Sequence, residues 1–252
     1  MSSGDLARVE EAALNALQTR RQLFYDGWLL RLSPGAAKRA RSVNAHFGST
    51  RPVGQKIAYC ERLYAARDLP VLFRMTPFCQ PADLDRELAA RGYVTFDSTL
   101  VQTAPLERPP EIDAADVQLS SPPVRDFVEA VGALRGSTRT QRDAHLERLL
   151  HTPLTTHAVL ASIDGKPVAA GQVALDEHLA GLYDIVTDER ARNKAVGTRV
   201  VARLLTWAWE HGAAYAYLQV TGDNAAALAV YRKFGFSTAY EYHYRGRPGD
   251  CR

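Results

Sequence analysis

The sequence predicts an α/β (α+β) fold in which a mixed sheet is covered by helices, and three observations carry that reading. Short apolar runs rich in Val, Ile, Leu and Tyr alternate along the chain with longer segments whose apolar residues recur at helical spacing. Gly, Pro and Asp-Gly breaks separate them at the short distances that link strands to helices. The 252 residues, 46% hydrophobic and 23% charged, suffice for one large domain or two of ordinary size.

The elements follow in order. Leu6, Val9, Ala13, Leu14 and Leu17 form an apolar stripe that predicts a helix over residues 5–22. Tyr25-Asp26-Gly27 turns the chain into a strand over 28–32, and Pro34-Gly35 turns it again into a strand over 40–47. A helix over 53–67 and a strand over 71–76 follow. Pro81 opens a helix with Leu84 and Leu88 on one face, and Arg91-Gly92-Tyr93 leads into a strand over 94–102. Residues 103–114 carry three prolines and several charges and read as a linker. It divides the chain into an N-terminal domain, 1–102, and a C-terminal domain, 115–252. Beyond it come a strand at 117–119, helices at 124–134 and 141–150, and two strands flanking the Asp164-Gly165 turn. A strand at 181–186, a helix at 196–211, a strand at 215–221, a helix at 224–234 and a strand at 238–244 complete the order.

The connection after the strand at 181–186 is a candidate anion site. It passes through Arg192, Asn193, Lys194, Ala195, Val196 and Gly197 straight into a helix that includes Thr198. A helix entered this way presents unsatisfied N–H groups and the positive end of its dipole, which suits a pyrophosphate. Small residues at 195 and 197 let phosphates approach the backbone, and Arg192 adds a charge-assisted contact. By itself this is also an ordinary strand-to-helix turn. The second signal is a strand ending at Asn224, followed by a helix that carries Ala227 and Tyr231 and closes on Gly235-Phe236.

With Arg192, Ala195 and Gly197 followed by Asn224, Ala227, Tyr231, Gly235 and Phe236, the sequence resembles the GNAT superfamily of acetyl-CoA-dependent N-acetyltransferases. The resemblance is clear over residues 157–244 and weaker over 115–156. It implies a GNAT-like, mixed and mostly antiparallel sheet, acetyl-CoA as co-substrate, no metal, and direct attack by an amine on the thioester. Backbone N–H groups at Ile185 and Val186 would hold the cofactor and the thioester oxygen, between strands that splay apart. Tyr231 would protonate the departing thiolate, a task its phenol suits, and Asn224 would contact the cofactor arm while capping its helix. Asp184 is the first choice for general base, with Glu177, His178 and Tyr183 as other candidates. The family loop usually has Gly where this chain has Ala195. A methyl there is tolerable at negative φ.

The two halves also resemble each other. Gly54 and Gly92 stand 38 residues apart (92 − 54 = 38), as do Gly197 and Gly235 (235 − 197 = 38). An offset of 143 (197 − 54 = 143) superposes the predicted strand–helix–strand–helix–strand orders. In the first copy Ser49 replaces the loop arginine, Pro52 the small residue and Leu88 the tyrosine. The N-terminal half therefore reads as a degenerate GNAT-like copy that does not bind acetyl-CoA productively. Arg39, Arg41, Asn44 and His46 are its polar candidates for an acceptor-side wall.

Charge and composition exclude some partners. A net charge of +3 is too small to argue for nucleic acid, and no apolar run approaches a membrane span. Three unevenly spaced cysteines without a CxxC pair suit a reducing cytoplasm and argue against structural zinc. The expected acceptor is a primary amine of a small molecule or a peptide, and a homodimer is compatible with the sequence. A non-catalytic acyl-CoA-binding regulatory module is the alternative.

Overall fold

The computed structural model describes residues 2–33, 37–111 and 117–251. The expected turn at Pro34-Gly35 and the end of the expected linker, 112–114, lie outside them. The described residues form two compact units, 1–18 with 101–239 and 19–100 with 240–252. The units therefore do not part at the expected linker. The first helix belongs with the C-terminal stretch, and the end of the chain with the N-terminal one.

The larger unit opens with helix α1 (Ser3–Ala16), started by a capping box between Ser2 and Asp5. It ends where the apolar stripe ends, short of the expected residue 22. Strand β1 (Gln22–Tyr25) follows instead, and with β2 (Trp28–Arg31) it makes a hairpin in the smaller unit. The hairpin turns on Asp26 and Gly27, both at positive φ (45° and 82°), the geometry two-residue hairpin turns favour. The smaller unit continues with β3 (Ser42–Asn44), α2 (Val53–Ala65), β4 (Leu72–Met75), α3 (Leu84–Ala90) and the start of β5 (Val94–Pro105). The strand expected over 40–47 is only three residues long: residues 38–40 form a 3-10 turn ahead of it, and it stops at Asn44. β5 runs to Pro105 and so takes in the first part of the expected linker. Trp28, Leu30, Val43, Ile57, Tyr64, Phe73 and Tyr93 are the centre of this unit's core.

In the larger unit the order after the linker is as expected: β6 (Gln118–Ser120), α4 (Val124–Arg135), α5 (Arg139–Leu150), β7 (Thr155–Ile163), β8 (Lys166–Asp176), β9 (Leu179–Thr187), α6 (Val196–Glu210), β10 (Tyr215–Thr221) and α7 (Ala225–Arg232), followed by β11 (Ser237–Gly246), whose residues 240–246 belong to the smaller unit. Its strands lie in the order β5-β10-β9-β8-β7-β6. β6 to β9 pair antiparallel and β9 with β10 parallel, a mixed and mostly antiparallel sheet. Helix α6 packs on β7, β8 and β9, burying Val200, Val201, Leu204 and Leu205. Helix α4 buries Phe127, Val128 and Val131 against Leu160 and Ala170. Among the described residues no helix is long and apolar enough to cross a membrane.

The internal repeat reappears in element boundaries. β3 ends at Asn44 and β9 at Thr187; α2 begins at Val53 and α6 at Val196; β4 begins at Leu72 and β10 at Tyr215; β5 begins at Val94 and β11 at Ser237. Each pair is separated by the same interval (196 − 53 = 143). Gly92 and Gly235 close the two short helices at φ of 80° and 78°.

Candidate active site

β9 and β10 run side by side for only four residues, 179–182 against 215–218, and are not paired with each other beyond them. The end of β9 is further displaced by a β-bulge. Ala170 pairs with Val186 and Gln172 with Tyr183, so Asp184 and Ile185 together face the single residue Gly171. A Cβ at Gly171 would lie 2.5 Å from Ile185 and 2.9 Å from Val200 and Leu204, so the bulge packs against the helix only over a glycine. Asp184 carries the strain, with φ at 55°. The parted strands and the bulge leave β9 main chain near Ile185 and Val186 without a partner on β10.

The loop that follows enters α6 through Asn193 and Ala195, both left-handed, at φ of 62° and 56°. The condition under which alanine was tolerable at position 195 is therefore not met. The site needs positive φ, the family's glycine supplies it freely, and Ala195 adopts it at a cost of about 1 kcal/mol. Residues 192–195 are exposed, whereas Val196 is buried beneath them. No side chain caps α6, unlike α5, where Thr138 accepts from Gln141, or α7, where Asn224 Oδ1 accepts from the Ala227 N–H at 3.1 Å. Gly197 sits in the first turn of α6, where a Cβ would lie 2.8 Å from the Thr187 hydroxyl, and Thr198 follows half-buried. An anion at this loop would meet open N–H groups and the positive end of a 15-residue helix, with Arg192 and Lys194 exposed beside it. Arg192 is shared with Glu189 at 3.4 Å on the surface.

Tyr231 is buried on α7, edge-on to Phe236, and burial pushes its phenol up to about 12. It is protonated at neutral pH, the state a proton donor needs.

Asp184 stands in a different setting. Its side chain, 14% exposed, accepts from Arg135 at 2.7 Å and from Gln172 at 2.7 Å. His145 Nε2 lies 2.9 Å from Asp184 Oδ2, the oxygen that accepts from Gln172, off the line of a well-formed hydrogen bond. Desolvation would raise this carboxyl, but His145 and Arg135 outweigh it and hold it well below the usual carboxylate range. A carboxylate so held is a weak proton acceptor, which argues against the base role expected for it. This cluster went unseen in the sequence, because Arg135, His145, Gln172 and Asp184 come from α4, α5, β8 and β9 at unrelated spacings. Glu177 and His178 lie in the turn before β9, about 20 Å along the strand from Asp184, and are not brought to the bulge. Tyr183 is hydrogen-bonded through its hydroxyl to that of Tyr217 at 2.8 Å.

Among the described residues the smaller unit has no such opening. β3 pairs with β4 up to Asn44, its last residue. The loop matching 192–194 holds the chain's own carboxylate: Asp26 accepts from the Thr50 and Arg51 N–H groups at 3.1 and 2.9 Å and from the Thr50 hydroxyl at 2.9 Å. Buried Lys56 lies 3.5 Å from the same carboxylate and over the Trp28 ring. Leu88, at the position matching Tyr231, is buried. Asn44 is buried too and donates to the Ser42 carbonyl at 3.0 Å, so it lines no exposed wall.

The family model described as probable histone acetyltransferase Rv0428c C-terminal matches residues 3–245. The chain is 28% identical over 246 residues to the uncharacterized N-acetyltransferase YobR of Bacillus subtilis (strain 168), covering 96% of this chain and 98% of that protein. It is 33% identical over 93 residues to the ribosomal protein bS18-alanine N-acetyltransferase of Escherichia coli (strain K12), covering 37% of this chain and 58% of that one. Among solved structures, a GCN5-related N-acetyltransferase from Kribbella flavida superposes with a TM-score of 0.75 at 21% identity, over 98% of this chain and 97% of its own.

Proposed function

The chain belongs to the family of the probable histone acetyltransferase Rv0428c C-terminal region, a GNAT-type N-acetyltransferase family, and from that premise we propose that it moves acetyl from acetyl-CoA to a primary amine of a small molecule or peptide. The observation that supports this most is the parting of β9 and β10 beside an uncapped, left-handed entry into α6. In this reading the α6 loop, residues 192–198, holds the pyrophosphate. The pantetheine arm lies along β9, and the N–H groups of Ile185 and Val186 hold the arm and the thioester oxygen. Asn224 touches the arm while capping α7.

The neutral amine attacks the carbonyl carbon, the C–S bond breaks, and acetyl passes to nitrogen without an acyl-enzyme. Tyr231 gives its proton to the leaving thiolate, and the proton lost by the amine returns through solvent. The smaller unit holds no second cofactor, since Asp26 fills its matching loop. Three free cysteines, two of them buried, suit a reducing cytoplasm.

Release of free thiol from acetyl-CoA in the presence of an amine panel, with N-terminal peptides as a separate arm, tests the reading. Tyr231→Phe is expected to lower kcat about a hundredfold while acetyl-CoA affinity stays within twofold. Tight cofactor binding with no acetylation of any amine would instead identify a sensor.

A further inference from the structure

We propose that Asp184 is a positioning residue, a clamp that ties the β9 bulge to the two helices α4 and α5 and so fixes the aim of the Ile185 and Val186 N–H groups. This deepens the acetyltransferase reading and rests on it. The argument begins with strain. A left-handed aspartate in a strand is strained, and such a residue persists only where its surroundings over-determine it. Three elements do so here. Arg135 is the last residue of α4, His145 lies in the middle of α5, and Gln172 stands on β8 next to Gly171, the residue the bulge faces.

The hydrogen bonds and ion pairs described for the carboxylate run to these three side chains. Arg135 and Gln172 donate, one to each oxygen, at 2.7 Å, so the carboxylate is held in both position and rotation. His145, edge-on to Phe127, is fixed between the α4 core and Asp184. The residue after this clamp is Ile185, and the one after that is Val186. Rotation of the Asp184 peptide would swing the N–H groups that face the thioester oxygen. A misplacement of about 1 Å there is enough to cost roughly a hundredfold in rate. The clamp also makes α4 and α5 part of the catalytic geometry, without any of their side chains touching the cofactor.

A base and a clamp make different demands on Arg135. If Asp184 takes a proton, Arg135 is dispensable to the chemistry; if Asp184 is a clamp, Arg135 is one of its two hydrogen-bond donors. Asp184→Asn, Arg135→Gln and the double variant would be compared with the wild type in full-length protein. The clamp predicts that each single variant lowers kcat about tenfold or more with little change in KM for acetyl-CoA. The double variant should be no worse than the poorer single, and the shape of the pH profile should not change. Amide hydrogen exchange in the β8–β9 pairs on either side of the bulge, residues 169–173 and 181–183, should rise in all three, and this readout needs no substrate. Loss of the acidic limb of the kcat/KM profile in Asp184→Asn, with wild-type kcat in Arg135→Gln, would overturn the clamp in favour of a base. Unchanged exchange at the bulge would overturn it as well. A wild type that acetylates nothing, with faster bulge exchange in the variants, would fault the acetyltransferase reading and leave the clamp standing.

Discussion

At the scale of single residues, the alanine at 195 is the sharpest departure from what its position asks. Its φ of 56° is a conformation that costs an L-residue about 1–2 kcal/mol and a glycine nothing, while glycine gives back about 0.5–1 kcal/mol through a more flexible unfolded chain. The difference favours glycine by about 0.5 kcal/mol. Ala195→Gly is therefore expected to raise Tm by about 1–2 °C in thermal unfolding. It should also tighten acetyl-CoA binding by calorimetry, because the methyl leaves the phosphate approach. A lower Tm and weaker binding together would mean that the alanine makes contacts glycine cannot replace. The sequence named the position and the departure. It did not reveal the sign of φ, which depends on how residues 192–195 climb from β9 onto α6.

At the scale of elements, the contrast between the two strand-to-helix loops explains why one half is open and the other closed. The N–H groups that open α6 are capped by no side chain; the matching loop before α2 gives its own to Asp26. The N–H groups of Arg51 and Thr50 hold the Asp26 carboxyl well below its usual range, and Lys56 adds to this. Arg245 and then His243 hold Asp85 down to about 2. For both groups the folded pKa is depressed, so the stability they supply is complete above the unfolded value of about 3.9 and is lost as pH falls through the folded values. Asp26→Asn should lower Tm at pH 7, and the gap to the wild type should narrow in scans below pH 4. A constant gap from pH 7 to pH 3 would show that the carboxylate's charge contributes nothing. The sequence exposed the missing arginine and tyrosine of the first copy but not Asp26, because a turn aspartate 24 residues before Thr50 carries no pattern. It also missed β1, since the Asp26-Gly27 signal was credited with the strand after it and not the one before.

At the scale of the whole molecule, the last strand of each repeat has changed sides. β4, of the first repeat, pairs antiparallel with β11, of the second, through Phe73, Arg74 and Met75 against Arg245, Tyr244 and His243. β10, of the second repeat, has β5, of the first, as its neighbour. Helix α1 also packs on β8 and β9, where Arg8 reaches Asp176 at 2.5 Å. The sequence made the elements and their order legible, because each depends on local periodicity. It placed the domain boundary in the proline-rich stretch, because strand exchange is a long-range choice that local composition does not record. The consequence can be tested by cutting the chain there. Fragment 111–252 lacks α1 and β5, which leaves β10 an open edge; fragment 1–110 lacks β11, which leaves β4 open. Each fragment alone is expected to aggregate or to melt without cooperativity. Co-expressed, they should copurify as a 1:1 complex that melts cooperatively and binds acetyl-CoA. A soluble 111–252 fragment that unfolds cooperatively and binds acetyl-CoA on its own would show that the exchanged strand is dispensable and that the two halves are ordinary tandem domains.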